Sequence, residues 1–93
     1  MPNIVWTEDA VEHLEAIVTY VPVYDPAAAQ RLAQRLIELA DSLAEFPQRG
    51  RDAGDGRRKM TVVWPYILHY RVQGDTVFIL RIRHGARQAD DED

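Results

Sequence analysis

The sequence predicts an α+β fold of order β-α-α-β-β-β, with an antiparallel helix hairpin packed on one face of a small, mainly antiparallel sheet. Three observations lead there. Two stretches of 3.6-residue apolar periodicity occupy the first half, and runs of β-branched and aromatic residues separated by turn signals fill the second. Only about four residues link the two helical stretches, which folds them back on one another.

Asn3-Ile4-Val5-Trp6 has the composition of a short strand. Thr7 then offers an N-cap, and Glu8 and Asp9 put negative charge in the first turn, where the unpaired amides favour it. On this first helix Val11, Leu14, Val18 and Val21, joined by Ala10 and Ile17, form an apolar stripe, and Pro22 ends it. His13, between Glu12 and Glu15, is expected at the surface. Asp25-Pro26 repeats the start signal, a capping carboxylate followed by proline at the first helical position. The second helix carries Leu32, Leu36, Leu39, Leu43 and Phe46 at steps of four and three, flanked by small alanines that allow close approach, and stops before Pro47. Residues 48–55 contain Gly50, Gly54 and four charges without a period, which reads as a loop.

Three strands follow: residues 58–64, a corner at Pro65, residues 66–72, a tight turn at Gln73-Gly74-Asp75, and residues 76–84. Period-two alternation sorts them into faces. In the last strand Phe78, Leu80 and Ile82 are expected to meet the helices, leaving Val77, Ile79, Arg81 and Arg83 on the other side; in the strand before it, Leu68, Tyr70 and Val72 alternate with Ile67, His69 and Arg71. The function is therefore sought on a face bearing His69, Arg71, Arg81 and Arg83.

Ninety-three residues, 46% of them hydrophobic, make one domain, assigned to residues 1–89, with residues 90–93 an acidic tail expected to be disordered. The absence of cysteine removes disulfides, thiolate metal sites and a cysteine nucleophile, and fits a cytoplasmic setting. No basic-then-apolar leader opens the chain and no apolar run approaches the roughly 18 residues of a membrane span, so no membrane partner is expected. The net charge of -4 conceals an asymmetry. Residues 1–48 hold eight acids against two bases, residues 49–89 nine bases against three acids, and the tail Asp90-Asp91-Glu92-Asp93 supplies four more acids. Local potential steers encounter, so the basic part favours an anionic partner. The three histidines lack metal-ligand spacing and the glycines form no nucleotide fingerprint; no metal and no cofactor are expected.

The segments Leu43-Ala44-Glu45-Phe46-Pro47-Gln48-Arg49-Gly50-Arg51, Tyr66-Ile67-Leu68-His69-Tyr70-Arg71-Val72 and Val77-Phe78-Ile79-Leu80-Arg81-Ile82-Arg83-His84-Gly85-Ala86-Arg87 together resemble the RelE/ParE superfamily of bacterial toxins over nearly the whole chain. The resemblance implies the toxin of a type II toxin-antitoxin system, neutralised in a hetero-oligomer by a cognate antitoxin. It further implies one of two targets. ParE-like members inhibit DNA gyrase, and RelE-like members cleave messenger RNA on the ribosome without metal.

Metal-free RNA cleavage needs a proton acceptor for the 2'-hydroxyl, cations for the pentavalent phosphate and a proton for the leaving oxygen. Arg71, Arg81 and Arg87 offer phosphate clamps and His84 or His69 a proton carrier. RNA-cleaving relatives resemble one another in a lysine-rich set or in a histidine followed by an aromatic near the C-terminus. Here Lys59 is the only lysine, and Gly85 follows His84. The gyrase-directed reading is thus preferred, with Arg71, Arg81, Arg83, His84 and Arg87 as target-binding residues and no catalytic residue. The bland alternatives are a solvated face for Arg81 and Arg83, a solvated strand start for Arg57-Arg58-Lys59 and a structural role for His84. The antitoxin is expected to lay a helix along the helix hairpin and an extended piece near the basic sheet.

Overall fold

A computed structural model describes residues 3–20, 25–63 and 65–85; Val21, Pro22, Trp64, Arg87 and the acidic tail lie outside them. The strands are β1 (Asn3–Trp6), β2 (Arg51–Gly54), β3 (Arg57–Val63), β4 (Tyr66–Gln73) and β5 (Thr76–His84); the helices are α1 (Glu8–Tyr20) and α2 (Pro26–Asp41). They form one five-stranded sheet in the order β1-β5-β4-β3-β2. β1 runs parallel to β5, and every other pair is antiparallel. Both helices pack on one face of this mixed sheet, and the architecture is the expected α+β one with a strand added at its edge.

That strand is β2. Residues 48–55 were expected to form a loop, but Arg51 pairs with Lys59 and Asp52 with Arg58. A buried phenol brings the chain to that edge. The Tyr70 hydroxyl donates to the Pro47 carbonyl at 2.8 Å and accepts from the Gly50 N–H at 2.8 Å. Arg58 reaches the Gly50 carbonyl from the same side, at 2.7 Å. Gly50 fits because it has no side chain: a Cβ there would lie 2.8 Å from the Tyr70 oxygen and 2.9 Å from the Lys59 carbonyl.

The helix starts match the sequence. The Thr7 hydroxyl accepts from Ala10 N–H at 3.2 Å, and the Asp25 carboxylate accepts from Ala28 N–H at 3.2 Å, with Pro26 in the first turn. The stripes differ in phase. Ala10 and Ile17 are buried, with Leu14 partly so, whereas Val11 is 39% exposed. On α2, Ala29, Leu36 and Ala40 are buried, but the α-helix ends at Asp41 and continues as a 3₁₀ turn, Ser42–Ala44. The 3₁₀ turn keeps Leu43 in the core and ends at Ala44, so Phe46, expected to extend the stripe, lies past the helical residues and is 58% exposed.

The face expected for β4 holds: Leu68 and Tyr70 are buried beneath the helices and Val72 packs beside them. In β5 the expectation is half inverted, because Val77, Ile79 and Ile82 face the core and Phe78 and Leu80 do not join it. A β-bulge is the reason. Tyr70 pairs with Ile79 and His69 with Arg81, so Leu80 has no counterpart and the alternation slips by one residue. Ile82 thereby turns inward while Arg81 and Arg83 stay on the free side.

The start of α1 secures this bulge. β1 stops opposite Ile79, and from there Thr7 takes over: its hydroxyl donates to the Ile79 carbonyl at 2.8 Å and lies 3.1 Å from that of Leu80. His13, expected at the surface, is instead half-buried, and its Nδ1 accepts the Ile82 N–H at 3.2 Å. An imidazole stands where a strand would have continued the ladder.

Substitution at two of these contacts should register in stability. Thr7→Val keeps the shape but removes the cap and the hydroxyl on the bulge, and should cost about 1–2 kcal/mol in urea denaturation, while Thr7→Ser recovers most of it. Tyr70→Phe leaves the Gly50 N–H and Pro47 carbonyl without their buried partner and should cost about 1–3 kcal/mol in the same measurement. A loss near zero in either case would mean that the contact does not hold the fold.

Candidate basic face

The sheet's free side gathers positive charge because β2, β3, β4 and β5 stand in register there. Arg51 is opposite Lys59, Lys59 opposite His69, and His69 opposite Arg81. Neighbouring strands lie about 4.8 Å apart, so the four side chains form one row roughly 14 Å long across the sheet. A second row sets Arg57 opposite Arg71 and Arg71 opposite Phe78, and a third sets Thr61 opposite Ile67 and Ile67 opposite Arg83. Like charges placed directly opposite one another in a sheet are destabilising. Packing does not require this arrangement, since the core lies on the other side.

Arg51, Arg57, Lys59, His69 and Arg81, with Asp52 and Ala53, line a cleft of about 300 Å³. A second cleft, of about 380 Å³, continues from Arg51 and Lys59 towards Arg49, Met60, Thr61 and Ile67. Arg81 Nε is buried in the face and has no hydrogen-bond partner among the described residues. Arg71 is more committed: its Nη1 donates to the Asp55 carbonyl at 2.7 Å. Asp55 has φ 54 between Gly54 and Gly56, so Arg71 clamps a left-handed turn and holds the β2–β3 hairpin over the face.

Of the residues expected to bind a target, the structure brings Arg71, Arg81 and Arg83 to this face and sends His84 elsewhere. His84 pairs with Tyr66 and lies in phase with Ile82, on the helix side of the sheet, where its ring meets that of Tyr66 edge-on at 5.4 Å. Its Nδ1 is buried without a partner among the described residues. Arg87 lies outside the described residues. Sequence reasoning missed Arg51, Arg57 and Lys59. The alternation within Arg57-Arg58-Lys59 carried a signal for two of them, because Arg58 turns towards Gly50 while its neighbours face the cleft.

Gly85 packs tightly against the Pro65 corner. Its N–H donates to the Pro65 carbonyl at 2.6 Å, and a Cβ would lie 2.9 Å from Ile67 Cδ1 and 3.0 Å from that carbonyl. A side chain here requires the end of Ile67 to swing aside and the Pro65 carbonyl to give by a few tenths of an ångström.

Comparison with known proteins agrees with this geometry. Residues 4–89 match the family described as the ParE toxin of the type II toxin-antitoxin system parDE. Toxin RelE2 of Caulobacter vibrioides is 49% identical over 87 residues, covering 94% of this chain and 99% of that protein. Toxin RelE1 of the same organism is 36% identical over 75 residues, covering 77% and 81%. Among solved structures, a chain of the chromosomal ParDE TA system from P. aeruginosa superposes with a TM-score of 0.77 at 31% identity, covering 90% of this chain and 96% of that one. The chain belongs to the ParE toxin family of type II toxin-antitoxin systems, within the RelE/ParE superfamily.

Proposed function

We propose that this toxin acts in the cytoplasm as the ParE-like branch does, arresting growth by binding DNA gyrase through the basic face rather than by catalysis, and that a cognate antitoxin neutralises it. The observation carrying this reading is the separation of His84 from Arg71 and Arg81: the proton carrier and the phosphate clamps of a His84-centred nuclease lie on opposite sides of the sheet. The glycine at position 85, where RNA-cleaving relatives commonly carry an aromatic, points the same way.

One observation favours a second reading. His69 stands between Lys59 and Arg81 in a single row, so an imidazole and two cations share the cleft. That is the chemistry of a RelE-like, ribosome-dependent endonuclease, with His69 in place of His84 handling the proton and Lys59 and Arg81 holding phosphate.

Purified, antitoxin-free protein is assayed for gyrase supercoiling and, in parallel, in a translating extract probed for cut messages. Inhibited supercoiling with intact messages is expected. Cut messages with unaffected gyrase would overturn the proposal, and His69→Gln should then slow cleavage by about 100-fold or more. The charged row yields a separate expectation. Lys59→Gln relieves like-charge repulsion and should raise stability by up to about 1 kcal/mol in thermal or urea unfolding while weakening growth arrest. A destabilised variant would mean that Lys59 serves the fold.

A further inference from the structure

Phe46, the most exposed large hydrophobic side chain among the described residues, stands at one end of the charged surface. Resting on the reading of this chain as a gyrase-directed toxin, we propose that Phe46 is the apolar anchor of the target contact. It receives an apolar side chain from a segment of the target protein whose neighbouring carboxylates run on into the basic row.

Continuity is the first support. Phe46, Pro47, Gln48 and Arg49 line a hollow of about 440 Å³. Arg49 also lines the 380 Å³ cleft, which shares Arg51 and Lys59 with the cleft that reaches Arg81. One track therefore leads from the ring to the row. Charge points the same way: five arginine and lysine side chains and an imidazole line the track against one carboxylate, Asp52, whose Oδ1 is already bonded to the Gly54 N–H at 2.8 Å.

The second support is that the ring is held out rather than left loose. The Phe46 N–H donates to the Ser42 carbonyl at 3.1 Å, the Arg49 N–H to the Phe46 carbonyl at 3.1 Å, and Arg49 Nη1 to Ser42 Oγ at 2.8 Å. From inside, the Tyr70 hydroxyl fixes Pro47 and Gly50. An anchor whose backbone is already fixed loses little conformational freedom on binding, and an aromatic beside arginines has the composition of an interface centre.

The third support separates a protein segment from a nucleic acid. A bound single strand stacks its bases on successive aromatic side chains, yet Phe46 is the only Phe, Tyr or Trp lining the track and lies at its end. Apolar surface recurs instead at Met60 and Ile67 in the middle cleft, which suits an amphipathic stretch of protein.

The test measures binding of gyrase holoenzyme to immobilised full-length toxin. Phe46→Ser should weaken binding at least about 10-fold, and Phe46→Leu, which keeps an apolar side chain, should recover most of it. Val11→Ser removes a comparably placed exposed apolar group from the helix layer and should change nothing. A thermal melt of each variant confirms that it is folded. A smaller loss for Phe46→Ser, with the unsubstituted toxin still binding gyrase, overturns this inference alone. Absence of any binding by the unsubstituted toxin overturns the gyrase reading and the inference with it. The same variants are titrated with a single-stranded RNA and with the cognate antitoxin. If Phe46→Ser weakens either of these and leaves gyrase binding unchanged, the ring serves that partner and the inference fails.

Discussion

The extra residue in β5 decides which chemistry each side of the sheet presents. Val77 and Ile79 reach the core in strict alternation, and continuing it would bring Arg81 and Arg83 under the helices, where an unpaired guanidinium costs several kcal/mol. Leu80 absorbs one step, so Ile82 enters the core and both arginines leave it. The bulge is held from α1, where the one hydroxyl that caps the helix also holds the Ile79 carbonyl and reaches that of Leu80. Helix start, bulge and basic face form one unit, although residues 7 and 79 are distant in sequence.

A comparable economy sets the other end of the row. Arg51 reaches the face because β2 exists, and β2 lies at the edge because the Tyr70 phenol pins the chain at Pro47 and Gly50 before it pairs with β3. Tyr70 is fully buried on the helix side of β4, while its neighbours His69 and Arg71 point to the free side. One strand thus contributes the anchor of the loop and the centre of the row at successive positions. The like-charge row weakens the sheet that carries it, and local features that oppose stability concentrate where a protein binds.

Most of the fold was legible in the sequence, for reasons that particular residues make plain. Thr7, Asp25-Pro26 and Gln73-Gly74-Asp75 carry local chemistry that fixes helix starts and a turn whatever surrounds them, and Leu68, Tyr70 and Val72 alternate without interruption. The features that escaped depend on contacts distant along the chain. The bulge at Leu80 leaves no mark in composition, and its cue, Ile82 coming after Arg81 out of phase with Ile79, has meaning only once the core is known. β2 has no apolar period because it is an edge strand fixed by Tyr70. The role of His13 depends on where β1 ends, and Phe46 is exposed where the helical residues have already ended at Ala44. Arg71, Arg81 and Arg83 were read correctly onto one face, and the alternation that puts Ile82 under the helices also puts His84 there, so its grouping with the arginines as a target-binding residue did not follow from the strand pattern.

The two layers of the molecule differ in charge as well as in structure. α1 presents exposed Glu8, Asp9, Glu12 and Glu15 and no Lys or Arg, whereas on α2 exposed Arg31 and Arg35 offset exposed Glu38 and Asp41, so the helix layer is acidic along α1 while the opposite sheet face is basic. A net charge of -4 therefore describes neither surface. Screening at physiological salt acts over about 8 Å, shorter than the 21 Å thinnest dimension of the protein, so a partner senses each layer separately. Approach of an anionic segment to the helix side is opposed and to the sheet side favoured, which orients a partner before any apolar contact forms. Val11 and Ile37, exposed on the helices, can then add apolar contact only for a partner segment that tolerates or neutralises the surrounding carboxylates. A partner that covers both layers meets carboxylates along α1 and cations on the sheet face, so the charge it can present differs between the two, and this difference fixes the direction in which it is laid down.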